Sequence, residues 1–123
     1  MIQLDTIQTK QKLNDVYTYD EKGAGGANHA YGVYKHGEIA IESTPLAVIQ
    51  FQNGARLEEG SIPGIIDSDL LEMVRHRLLA FQVGPFASVY NEMALFHIEM
   101  ALKALNQRVE DRIARDVLGK EQK

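Results

Sequence analysis

No cysteine occurs in the 123 residues. That excludes a disulfide framework and any thiolate metal site, and it fits a reducing compartment. At Met1-Ile2-Gln3-Leu4-Asp5 no basic segment leads into an apolar one, so no secretory signal is legible. No uninterrupted apolar run approaches the roughly 20 residues of a membrane-spanning helix. Positive charge is not in excess either: the formal net charge is −4. A chain that is acidic overall is poorly suited to coating duplex nucleic acid, although two or three local cations suffice for a small phosphate ligand. No Ser/His/Asp set stands out, and His29, His36, His76 and His97 lack metal-ligand spacing. His97-Ile98-Glu99 has the H-x-E form of zinc deaminases, but without cysteine that site cannot be completed. Glu58-Glu59 reads as a strand end rather than a catalytic carboxylate pair. No catalytic residue, metal or cofactor is therefore expected.

What is present is one long helical stretch, Phe86 to about Val117. Leu95, Ile98, Leu102, Leu105, Val109 and Ile113 recur at steps of three and four, which makes one apolar stripe. Gly119 is the expected stop. Such a helix would be roughly 48 Å long, more than a domain of this size needs to cover its own core. A second copy of the same helix is the simplest partner for the excess.

The preceding chain reads as an antiparallel meander. Residues 1–14 form a leader or edge segment, and strands are expected at Asp15–Tyr19, Ala30–Lys35, Glu38–Glu42 and Leu46–Phe51. Asn53-Gly54 predicts a two-residue hairpin returning through Ala55–Glu59. Gly23-Ala24-Gly25-Gly26-Ala27 is a flexible turn; no helix opens after it, so it is no dinucleotide fingerprint. Asp69 and Glu72 have capping-box spacing, and a first helix should run from Asp69 to Phe81 on a stripe of Leu70, Val74, Leu78 and Phe81. Gly84-Pro85 separates it from the long helix, a link short enough for antiparallel packing. The expected fold is α+β in one domain, 1–123, with the sheet over 15–60 and a two-helix antiparallel hairpin over 67–118.

Arg108, Arg112 and Arg115 share one side of the long helix. A guanidinium can hold two phosphate oxygens at once, but Arg108–Asp111 and Arg112–Asp116 surface ion pairs are the plainer reading. Asn91 lies 17 positions before Arg108, hence roughly 25 Å away along the helix. One small ligand would reach both only across two antiparallel helices from two chains, giving two equal sites about a two-fold axis. Otherwise Asn91 is a solvated residue of the first turns. Phe81 reads first as core, and second as an aromatic at a pocket rim that could stack on a base.

At Phe81, Asn91, Arg108 and Arg112 the chain resembles a phage family, the Thoeris anti-defence protein 1 sponges. The resemblance takes in Gly23–His29, Val48–Gly54, Phe81–Phe86 and Asn106–Arg115, most of the chain. It implies an N-terminal antiparallel sheet followed by two helices. It also implies binding of cyclic ADP-ribose isomers, of the glycocyclic type, held without cleavage in the host bacterial cytoplasm. The family's pocket aromatic, asparagine and two arginines match Phe81, Asn91, Arg108 and Arg112. Some members resemble hexamers with a second pocket for cyclic di- or trinucleotides; Arg56, with Gly25 and Gly26 in the glycine-rich loop, is the candidate there. The implied partners are a small cyclic nucleotide and further copies of the chain, with no nucleic acid and no membrane. The rival readings are a structural homo-oligomeric module and, below it, a nucleotide-degrading enzyme.

Overall fold

The computed structural model describes residues 1–123. It resolves into two compact units, Met1–Ile65 and Ile66–Lys123. The fold is α+β, an antiparallel sheet followed by two helices, as the sequence indicates.

In the first unit the strands are β1 (Ile2–Gln3), β2 (Asn14–Thr18), β3 (Ala30–Lys35) and β4 (Ala47–Gln50). They pair in chain order, each antiparallel to the next. The expected strand at Glu38–Glu42 does not form. β3 has two edges, and β2 and β4 take them, so the intervening chain closes instead into a 3-10 turn at Ala40–Glu42. The Asn53-Gly54 hairpin is also replaced. A type I′ turn needs positive φ at both residues, and only Gly54, at φ 92°, has it. Asn53 instead pairs through its backbone with Ile62, leaving a wide loop of turns where Ala55–Glu59 was expected to return as a strand.

The core of this unit is small and aromatic. Tyr34 is buried, with Tyr17 and Tyr19 edge-on to it at 5.3 and 6.4 Å between centroids. The Tyr19 and Tyr34 hydroxyls lie 2.6 Å apart. Burial, then the Tyr34 hydroxyl, pushes Tyr19 up to about 12. Gly32 makes this possible, because a Cβ there would occupy the place of the Tyr19 hydroxyl.

Two carboxylates tie the loops. Asp15 accepts from the Gly37 amide at 3.2 Å and lies 2.9 Å from His36 Nδ1 and 3.3 Å from Lys12 Nζ. The His36 hydrogen bond outweighs burial and, with Gly37 and Lys12, holds Asp15 below the usual carboxylate range. Asp20 accepts from the His29 and Ala30 amides at 2.9 and 3.2 Å. Burial pushes Asp20 up, but those amides and Asn28 bring it below its ordinary value. A carboxylate depressed by folding stabilises the native state above its unfolded pKa, and that contribution is lost as pH falls through the folded value. Thermal melts followed by circular dichroism should therefore show the midpoint falling as pH drops through and below the carboxylate range. Asp20→Asn, which cannot titrate, should lower the neutral-pH midpoint and flatten that fall; a slope equal to wild type would contradict the assignment.

The second unit is a helical hairpin. α1 spans Asp67–Gln82 and α2 spans Val89–Ala114. Asp69 is not the cap of α1 but its third residue. Its carboxylate reaches back to the Ile66 amide at 2.9 Å, while Glu72 turns to Arg75 at 3.5 Å. α2 begins later than expected, because the Ser88 hydroxyl caps the Asn91 amide at 3.0 Å. It also ends earlier. Asp116 adopts φ 57°, its amide donates to Ile113 O at 3.0 Å and the Val117 amide donates to Arg112 O at 2.9 Å. That is the Schellman closure, so the helix stops before Gly119 is reached. At 26 residues α2 is roughly 39 Å long, not 48. It still exceeds α1 by ten residues. No helix is long and apolar enough to cross a membrane.

Candidate functional site

The two helices of the hairpin pack against each other. Arg75 of α1 reaches Glu99 of α2 at 2.9 Å, and that hydrogen bond raises the Arg75 pKa still further. Leu70, Leu78, Leu95, Ile98, Leu102, Leu105 and Val109 of the expected stripes are half-buried, but Val74, Phe81 and Ile113 are exposed. No residue of α1 is fully buried within the chain, and in α2 only Arg112 is. A second apolar stripe runs along the exposed side of α2: Val89, Met93, Phe96 and Met100, with Phe96 60% exposed. Its steps of four, three and four are helical spacing, legible in the sequence beside the inner stripe.

At the turn between the helices, Gln82 makes two bonds to one residue. Its Nε2 donates to Ser88 O at 3.1 Å, and its Oε1 accepts from the Ser88 amide at 3.0 Å. Asn91, one turn on, donates through Nδ2 to Phe86 O at 3.2 Å. Phe81 is 38% exposed rather than core, with the Arg77 guanidinium 5.3 Å from its ring centroid. This turn presents an exposed ring flanked by a cation and a half-buried amide, at the end of α2 opposite Arg108.

The arginines lie at the other end of α2. Neither of the plainer ion pairs forms. Arg115 takes Asp111 at 3.0 Å, and Arg108 is exposed with no ion pair. Arg112 is 5% exposed; its Nη2 donates to Val117 O at 2.9 Å and Lys120 O at 2.8 Å. Its partners are carbonyls, not carboxylates, so its charge is not neutralised by an acid. Burial of an unpaired guanidinium is tolerated here because the carbonyl end of a helix favours a cation. Within one chain Asn91 and Arg108 are separated by the 17-residue rise along a single helix, roughly 25 Å, and the structure does not bring them together.

The candidates for a second pocket belong to the sheet unit. Gly25 and Gly26 have φ of 72° and 80° and open space around them. Asn53 Oδ1 accepts from the Ala24 amide at 3.3 Å, which sets this loop beside the turn carrying exposed Arg56. No group of three or more His, Asp and Glu residues is arranged to hold a metal ion.

Comparison with known proteins accounts for the hairpin. A relative named Thoeris anti-defense 1, from Bacillus phage SBSphiJ7, is 40% identical over 78 residues, covering 63% of this chain and 54% of the relative. The chain thus matches about half the length of that protein. The family described as "Acb2/Tad1, hairpin domain" matches residues 44–110, from the approach to β4 through α1 and most of α2. That match covers more than half of the chain, and the protein belongs to the Acb2/Tad1 hairpin family.

Proposed function

We propose that the protein is a phage anti-defence factor that sequesters a cyclic ADP-ribose-type signal of Thoeris immunity without cleaving it, inside the host bacterium. The name of the phage relative supports the anti-defence role, and the resemblance at Phe81, Asn91, Arg108 and Arg112 supports the ligand. The observation that carries the reading is the pair Arg108 and Arg112. Two guanidiniums without carboxylate partners stand one turn apart in a chain of net charge −4. A pyrophosphate supplies the anion they lack. Arg108 is the accessible member, and Arg112 keeps donors on Nε and Nη1 beyond those used by Nη2. Phe81 stacks on adenine and Asn91 takes a ribose hydroxyl or a base edge.

The site is completed by a second copy. Head-to-tail pairing that sets Asn91 of one α2 opposite Arg108 of the other places the two-fold axis near Glu99 and Met100. Arg56, Gly25 and Gly26 are proposed for a cyclic oligonucleotide site, in an assembly extending to a hexamer. Sequestration needs preorganised contacts and slow release rather than reactive groups.

Native mass spectrometry of protein expressed with and without an active Thoeris sensor tests the reading. A mass increment of one nucleotide per site is expected only with the sensor, and the denatured protein should release it intact. Fragments would favour an enzyme, and no increment would favour a purely structural module. Arg108→Ala should weaken binding roughly 10- to 150-fold, as a charge-assisted contact is worth about 1.5–3 kcal/mol, with no loss of stability.

A further inference from the structure

We infer that Gln82 is a positioning residue for the ligand, acting through Asn91 without touching the nucleotide. This rests on Asn91 being a ligand contact, as proposed above. Gln82 ends α1 and bonds both backbone groups of Ser88, at 3.1 and 3.0 Å, as a neighbouring strand would. That pins the connector of residues 83–88 at its far end. The pinned Ser88 then caps α2 through the Asn91 amide at 3.0 Å, and the Phe86 carbonyl takes Asn91 Nδ2 at 3.2 Å. Asn91 is therefore held from two sides by the segment Gln82 fixes.

The consequence is chemical as well as geometric. With one Nδ2 hydrogen committed to Phe86, the side chain is fixed with Oδ1 as an acceptor and the second Nδ2 hydrogen as a donor. The ligand group that suits this edge both donates and accepts: a ribose hydroxyl, or a base edge carrying an exocyclic amine beside a ring nitrogen. Without Gln82 the connector loses both anchors, Phe86 O drifts from Nδ2, and the amide is free to turn out of the orientation the ligand meets.

The experiment is a double-mutant cycle read by calorimetry with glycocyclic ADP-ribose as the probe. Gln82→Ala should weaken binding roughly 5- to 30-fold, the worth of one or two neutral hydrogen bonds, with helical content unchanged. In the Asn91→Ala background the same substitution should cost nothing further, because the group it positions is gone. The isosteric Gln82→Glu keeps the bond to the Ser88 amide and loses the one to the Ser88 carbonyl, so it should fall between wild type and Gln82→Ala; it carries the test if the alanine variant does not fold. Full additivity of the two alanine substitutions, or wild-type affinity in Gln82→Ala, overturns the inference and leaves the pocket standing. Wild-type affinity in Asn91→Ala overturns both.

Discussion

Arg112→Ala is expected to lower the stability of the helical hairpin by about 2–3 kcal/mol and to abolish nucleotide binding, a double loss that Arg108→Ala does not share. Hydrogen bonds from a charged donor are worth about 1.5–3 kcal/mol each, and Arg112 makes two, to Val117 O and Lys120 O. The carbonyls regain water once the C-terminal turn opens, so the two do not add in full. Arg112→Lys should recover only part, since one ammonium lacks the planar fork that serves two carbonyls while leaving further donors free. Denaturant unfolding measures the first effect and calorimetry the second. An unchanged unfolding midpoint in Arg112→Ala would mean that the C-terminal turn holds without the guanidinium. An unchanged affinity would remove Arg112 from the pocket, and the cation there would be Arg108 alone.

The hydrogen bonds of Arg112 mark the boundary of what the sequence could reveal. Helices and most strands follow from period and composition, and their order followed correctly. The hairpin's inner stripe, Leu95 to Val109, was legible for the same reason: repetition at three and four survives any detail of packing. Ends and turns were not. Gly119 is the stop the sequence offers, yet Asp116 takes the left-handed position and ends α2 three residues earlier, as aspartate can at modest cost. Asn53-Gly54 carried the strongest short hairpin signal, but Asn53 was recruited to pair with Ile62 and to hold Ala24. Each outcome depends on partners distant in sequence. The same holds at the site. Arg112 bonds to carbonyls that face it only after the chain has reversed at Asp116, and Gln82 grips a residue six positions on with no periodic trace. No sequence pattern announces the hydrogen bonds of Arg112 or Gln82.

Gly64→Ala is expected to destabilise the sheet unit by about 3 kcal/mol or more, the upper end of what overpacking costs. Residues 62–65 lie against the continuation of β4: Gln52 N donates to Ile65 O at 2.8 Å and Ile65 N donates to Gln50 O at 2.9 Å. Gly64 immediately precedes Ile65, which makes both bonds. A Cβ there would fall onto the Gln50 carbonyl oxygen, 2.5 Å from Phe51 C and 2.7 Å from Gln52 N. All of these are backbone atoms, so no rotamer change relieves the clash; the strand and the segment must part, and the bonds between them go with it. Gly32→Ala is the useful contrast. Its Cβ would strike the Tyr19 ring end, which can swing away at the cost of the 2.6 Å bond to Tyr34. Gly32→Ala should therefore cost less, about 1–2 kcal/mol, and bring the Tyr19 hydroxyl down from about 12 toward its ordinary value. Urea unfolding of the two variants orders them, and ultraviolet titration of the tyrosines reads the second. If Gly64→Ala proved the milder substitution, the tight backbone approach between residues 50–52 and 64 would have to be abandoned.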